Sequence, residues 1–103
     1  MSATIFQKAV WEATRKIPKG KVTTYAAIAK LIGRPKAVRA VGNALNKNPY
    51  APKVPCHRVV KSDGGLGGFA GGAKKKKMLL EKEGVKIKND KILNFNKKFF
   101  SFI

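Results

Sequence analysis

Apolar residues recur at helical spacing three times within the first 47 positions, and glycine and proline interrupt the pattern between the runs. This feature constrains the fold most, because helices this short are marginal alone and must bury their stripes against one another. Thr4-Ile5-Phe6-Gln7 has the form of a capping box, and Phe6, Val10, Ala13 and Ile17 follow at helical spacing, so a first helix is expected over residues 5–16. Trp11, beside Val10, is assigned to the core. Ile17-Pro18-Lys19-Gly20-Lys21 is a turn by its Pro and Gly. Thr23 or Thr24 can cap a second helix carrying Tyr25, Ile28, Ala29 and Ile32 on one face and ending at Gly33. Arg34-Pro35 then turns the chain into a third helix with Val38, Val41 and Leu45 as its buried stripe, while Ala37, Ala40 and Ala44 keep much of the remaining surface small.

Two short helices around a tight turn resemble a helix-turn-helix, a pattern that ordinary helical cores also show. With Val38 and Val41 turned inward, Arg39 is expected to project outward among small neighbours, either as a plain surface arginine or as a cation that lets the helix lie close to a DNA groove. Beyond residue 47, a polar loop leads into a strand-like segment, residues 54–60, and Lys61-Ser62-Asp63-Gly64 forms a turn. A glycine-rich loop runs to Gly72, followed by a helix over residues 73–83 stopped by Gly84. Residues 85–87 and 92–95 can pair as a hairpin around Asn89-Asp90. The apolar tail, Phe99, Phe100, Phe102 and Ile103, either packs back on the domain or meets a partner. The fold class expected is mainly α with a small β component, in one domain.

The charge balance is lopsided: 23 Lys and Arg stand against 5 Asp and Glu, a formal net charge of +18. Interlaced surface ion pairs cannot absorb that excess, so most cations face solvent or a polyanion, nucleic acid foremost. No apolar run reaches the roughly 18–20 residues of a membrane span, and no signal peptide is evident; a soluble, cytoplasmic protein without membrane contact is expected. One cysteine excludes an internal disulfide, and with one histidine and few carboxylates no metal site is expected.

That cysteine and that histidine are neighbours, Cys56-His57. A thiol is a weak nucleophile until a base or a lowered pKa activates it, and an imidazole steadied by a carboxylate can accept its proton directly or through water. Successive residues of a strand point to opposite faces, so either the backbone bends here or a water bridges the two groups. On residue types alone, a lone Cys in an apolar stretch reads more often as a buried structural residue than as a nucleophile. The helix after the glycine loop adds a clue. Lys74 to Lys77 crowd its positive N-terminal end, and Glu81 and Glu83 sit at its negative C-terminal end, both against the helix dipole. The lysines are therefore expected to serve phosphates, and one glutamate the Cys-His pair.

Pro55-Cys56-His57-Arg58-Val59 resembles the active-site signature of the O6-alkylguanine-DNA alkyltransferases, the methylated-DNA-protein-cysteine methyltransferases. The resemblance extends over residues 4–88 through Phe6-Gln7 to Val10-Trp11, Gly20 to Tyr25, Arg39-Ala40-Val41-Gly42, Asn48-Pro49, Gly68-Phe69-Ala70-Gly71-Gly72 and Leu79 to Gly84, in the family's order. It implies a winged helix-turn-helix-like DNA-binding alkyltransferase domain, with the helix-turn-helix at about 23–47 and the active-site segment and loop at 48–72. Cys56 is implied as alkyl acceptor, His57 as base, Glu83 as the group orienting it, and Asn48 as the brace of the loop. Tyr25 is implied to hydrogen-bond or protonate the guanine leaving group and to crowd a backbone phosphate so that the nucleotide rotates out. Arg39 is implied to enter the vacated stack. DNA contacts fall to Arg39, Tyr25, Lys36, Ala37, Ala40 and Gly42, made through the minor groove. The pocket falls to Val59, Phe69, Ala70, Gly71 and Ala51. Backbone carbonyls of Cys56 and Val59 meet the exocyclic amine and the Ala70 N–H meets O6. No cofactor is implied. The partner is double-stranded DNA bearing O6-alkylguanine, met by a monomer, and because a thioether has no hydrolytic exit each molecule acts once.

Three departures from the family's pattern bear on these expectations. The chain opens directly on the catalytic-type domain, so the N-terminal domain of larger members is expected to be absent. That architecture raises alkyltransferase-like proteins, which bind alkylated DNA without repairing it but typically replace the cysteine retained here. Phe69-Ala70 stands where some members have Tyr-Ser, and Ala51 stands where some have proline, which is expected to admit larger alkyl groups. A nucleoid-type DNA-binding module with Cys56 merely buried accounts for the charge but leaves Cys56, His57, Glu83 and the glycine loop as coincidence.

Overall fold

The computed structural model describes residues 3–102. Helix α1 (Ile5–Arg15) begins with the expected capping box: Thr4 accepts from the Gln7 N–H while the Gln7 side chain accepts from the Thr4 N–H. Strand β1 (Thr23–Thr24) runs directly into α2 (Tyr25–Leu31), with Thr24 as the cap. After Gly33, whose φ of 78° suits glycine, a turn leads into α3 (Val38–Asn46). The three helices bury Val10, Trp11, Ala13, Ile28, Ala29, Val41 and Leu45 in one cluster, each large aliphatic side chain there contributing about 1.5–3 kcal/mol. Trp11 Nε1 donates to the Ala44 carbonyl at 2.9 Å, tying α1 to α3.

The stripe on α3 departs from expectation at Val38, which is 39 % exposed. Helix α3 starts at that residue, and Val38 lines an open cleft with Tyr25 and Arg39 instead of joining the buried cluster. The strand-like segment also departs. Cys56–Arg58 is a single 3-10 turn, and only β2 (Val59–Val60) is extended, paired parallel with β1 through Thr23 opposite Val59 and Thr24 opposite Val60. The backbone bends after Pro55, so Cys56 and His57 do not stand as adjacent positions of a strand.

Helix α4 (Ala73–Lys82) follows the glycine loop and ends at Glu83 and Gly84. Strands β3 (Ile87–Lys88) and β4 (Lys91–Ile92) form the expected hairpin, with Asn89 and Asp90 both left-handed as a two-residue primed turn requires. A short helix α5 (Phe95–Lys98) takes up the end of the predicted second strand. Val22, Val60, Leu66, Leu80, Val85 and Ile92 form a second buried cluster beneath these elements. The tail packs back at Phe100 and Phe102: Phe100 N–H donates to the Val22 carbonyl at 2.7 Å and both rings lie against the first cluster, whereas Phe99 stays exposed. Ile103 lies outside the described residues.

Candidate active site

The 3-10 turn places Cys56, a half-buried free thiol, beside a buried His57. Glu83, capping the C-terminal end of α4, reaches back so that its Oε2 lies 3.1 Å from His57 Nε2. Of the two glutamates the sequence offered, Glu83 is the one engaged and Glu81 is exposed. Arg58 grips the same carboxylate twice, Nε at 2.9 Å and Nη2 at 2.7 Å, and donates from Nη1 to the Ile17 carbonyl at 2.7 Å. Burial raises the Glu83 pKa, but the hydrogen bonds and charges of Arg58 and His57 outweigh it and hold the carboxyl below its ordinary 4.5. An ionised carboxylate only accepts, so His57 Nε2 carries the shared proton and Nδ1 is left as the basic nitrogen. Burial, aided by the charges of Arg58 and Lys76 and opposed by Glu83, lowers the His57 pKa below 6.5. The imidazole therefore stays neutral, the form in which it can accept a proton.

Tyr25, first residue of α2, donates its hydroxyl to the Gly68 carbonyl at 3.2 Å. Burial and the charge of Cys56 raise its pKa, keeping the phenol a donor. Gly67 packs so closely that a Cβ there would stand 2.8 Å from the Tyr25 hydroxyl, and its φ is +74°. A side chain at this position is thus excluded twice over. Asn48 Nδ2 donates to the Val54 carbonyl at 2.8 Å and its Oδ1 accepts from the Tyr50 N–H at 2.8 Å, bracing the loop that delivers Cys56.

Lysine 76 was read from the sequence as one of four cations for phosphate, and the structure overturns that for this member of the run. Its side chain is fully buried, and Nζ donates to the carbonyls of Val59 at 2.6 Å and Gly68 at 3.1 Å and to the Tyr25 hydroxyl at 3.3 Å. It thus ties the strand after Cys56, the glycine loop and Tyr25 together. The available signal was helical phase: Lys76 stands four residues before the buried Leu80 and seven before Glu83. The double grip of Arg58 on Glu83 carried no local signal.

A cleft of about 450 Å³ opens between α3 and the glycine loop, lined among others by Tyr25, Val38, Arg39, Gly42 and Gly68. Arg39, in the first turn of α3, is exposed, and Ala37 before it caps the helix without a side-chain bond, leaving the N–H groups of that turn unsatisfied from within the chain. Lys36 and Ala40 are exposed but do not line this cleft: Lys36 borders a groove with Arg34 and Ala37, Ala40 one with Thr4 and Phe6, and Gly42 abuts the Tyr25 ring. Of the sequence-predicted pocket residues, Val59 is buried with its carbonyl held by Lys76, while Phe69 is half-buried and Ala51, Ala70 and Gly71 are exposed. The backbone N–H of Ala70 makes no hydrogen bond among the described residues. Those residues hold no cluster of His, Cys, Asp and Glu fit for a metal, and no helix long and apolar enough to cross a membrane.

Residues 5–85 match the family model described as "6-O-methylguanine DNA methyltransferase, DNA binding domain". The chain is similar to the methylated-DNA--protein-cysteine methyltransferases of Methanosarcina acetivorans, at 56 % identity over 79 % of this chain and 52 % of that protein, and of Haemophilus influenzae, at 42 % over 94 % and 54 %. It spans about half the length of these curated relatives. Among solved structures, Mycobacterium tuberculosis OGT in complex with DNA superposes with a TM-score of 0.78 at 48 % identity, over 81 % of this chain and 51 % of that one. Schizosaccharomyces pombe Atl1, bound to damaged DNA containing O6-carboxymethylguanine, superposes with a TM-score of 0.86 at 34 % identity, over 98 % of this chain and 99 % of that one.

Proposed function

Because the chain belongs to the 6-O-methylguanine DNA methyltransferase family, through its DNA-binding domain, we propose that it binds alkylated duplex DNA, turns out O6-alkylguanine and takes the alkyl group onto Cys56. The observation that carries this reading is the part-buried Arg58–Glu83–His57 chain, which leaves a neutral imidazole with Nδ1 as its basic nitrogen next in sequence to the only thiol. His57 Nδ1 takes the thiol proton, directly or through water. The sulfur attacks the alkyl carbon as its bond to O6 breaks, and the electron pair returns to guanine, where Tyr25 hydrogen-bonds or protonates the leaving base. The thioether is not hydrolysed, so one molecule serves one lesion.

The exposed Arg39 beside the cleft and the open N-terminal turn of α3 suit a minor-groove approach in which the arginine fills the gap left by the base. The unengaged N–H of Ala70 is available for O6. Incubation with duplex DNA carrying one O6-methylguanine should yield one methyl per protein on the Cys56 peptide by mass spectrometry, and Cys56→Ala none. Protein that binds the lesion but carries no adduct overturns transfer and favours a second reading, lesion binding alone, which the near-complete superposition on Atl1 supports. With His57 below 6.5, the transfer rate should hold steady down to that pH and fall only beneath it. A rate already falling above 6.5 contradicts the base assignment.

A further inference from the structure

The lysine-rich segment after residue 85 falls outside the matched family model, and the catalytic scheme does not use it. Residues 86–98 hold five lysines and a single aspartate. They are not a loose tail. Val85 and Ile92 are buried, and the hairpin is fastened to the turn before the glycine loop by Ile92 N–H to the Gly64 carbonyl at 2.9 Å and Leu66 N–H to the Asp90 carbonyl at 3.1 Å.

The register of the hairpin is unusual. Ile87 faces Ile92, placing the apolar pair toward the core, and Lys88 stands directly opposite Lys91. Like charges in that position destabilise a strand pair, and no lysine of the described residues is in an ion pair that would relieve it. Lys86, two residues before Lys88, lies on the same strand face as Lys88, and all three lysines are exposed. The nearby carboxylates compensate them only in part: Asp63 is turned onto the Gly65 N–H at 2.8 Å and acts on Lys61 and Lys91 through charge without forming an ion pair with either, and Asp90 is a turn residue. The hairpin also has a defined place relative to the lesion site. A cleft of about 370 Å³ is lined by Lys61 and Lys91 and reaches Gly67, next in sequence to Gly68 of the Arg39 cleft.

We propose that the β3–β4 hairpin is a second DNA-contacting element, with Lys86, Lys88 and Lys91 holding the sugar–phosphate backbone of the duplex beside the site where α3 engages the lesion. The inference rests on the proposed DNA function. A phosphate between Lys88 and Lys91 turns their mutual repulsion into two attractions, and the rigid attachment of the hairpin sets the register of the duplex over the cleft.

The test is the salt dependence of binding to a duplex of about two turns carrying O6-methylguanine, between about 50 and about 200 mM salt. Each lost phosphate contact lowers the slope of log K against log salt by about 0.9, so Lys86→Gln/Lys88→Gln/Lys91→Gln should flatten it by about 2–3. The same change in net charge made on α1 and the turn after it, Lys8→Gln/Lys16→Gln/Lys19→Gln, should flatten it by less than about 1. A wild-type slope in the hairpin variant, or an equal loss in the control, overturns the inference. Transfer from free O6-benzylguanine, which has no phosphate, should run at the wild-type rate in the hairpin variant. A slowed rate there means the hairpin acts by holding the fold, and also overturns it. Failure of the wild-type protein to accept the benzyl group counts against alkyl transfer and leaves the hairpin to be judged by the salt slopes, which need no transfer.

Discussion

Replacement of Glu83 by alanine is expected to lower the unfolding free energy by about 3–5 kcal/mol and to leave no measurable alkyl transfer. The side chains of Glu83, Arg58 and His57 are only 12 %, 16 % and 6 % exposed. Without the carboxylate, Arg58 keeps a single bond to the Ile17 carbonyl, and its charge remains buried without an opposite. A loss of that size is a large share of the roughly 5–15 kcal/mol that stabilises a domain, so the single variant by itself does not separate chemistry from folding. The double replacement Arg58→Leu/Glu83→Leu does. Exchanging both partners of a buried ion pair for apolar residues is often neutral or stabilising, so urea titration should find much of the stability restored. Transfer should stay absent because His57 has lost the acceptor that sets its tautomer. If the double variant regains transfer, Glu83 serves only the fold.

The second large effect concerns Lys76. Burial pushes its pKa down from 10.5 to about 8, partly opposed by the charge of Cys56. Below about pH 8 the folded and unfolded chains both hold the proton. Between there and 10.5 the unfolded chain holds more, so stability rises with pH across that window. At about 1.4 kcal/mol per pH unit, the rise attributable to Lys76 approaches about 3 kcal/mol. The quantity to measure is the difference between wild-type protein and Lys76→Met in denaturant titrations from pH 8 to 10.5. The methionine variant should lack most of the rise. It also leaves the Val59 carbonyl without its side-chain donor and the Gly68 carbonyl with the Tyr25 hydroxyl alone, weakening the tie between the strand after Cys56 and the glycine loop. Parallel stability profiles for the two proteins would show that Lys76 is not confined as a buried ammonium.

Where the sequence was legible, its signals were local. The capping box of α1, the Thr24 cap of α2 and the Asn89-Asp90 turn each depend on residues a few positions apart, and all three stand as read. Val38 misled because periodicity marks a face of a helix without saying where its neighbour ends. The segment from Val54 to Val60 misled because an apolar run with valines matches a strand until Pro55 and the packing of His57 bend it into a turn. The Cys56-His57 pair stood adjacent in the sequence, and charge against the helix dipole pointed to Glu81 or Glu83 as its carboxylate, but the choice of Glu83 came through a family pattern, since 26 positions separate it from His57.

The sequence by itself determined the helical order, the positive charge, the single thiol beside a single imidazole, and the run of glycines that follows them. The tertiary structure alone decided which charged side chains lie inside. Arg58 and Lys76 look like any other cations in a chain that carries 23 of them. They differ only because folding brings a carboxylate and three oxygen acceptors to them in places closed to water. Burial of a charge is a property of its surroundings, and in this chain those surroundings are assembled from segments up to 51 residues apart.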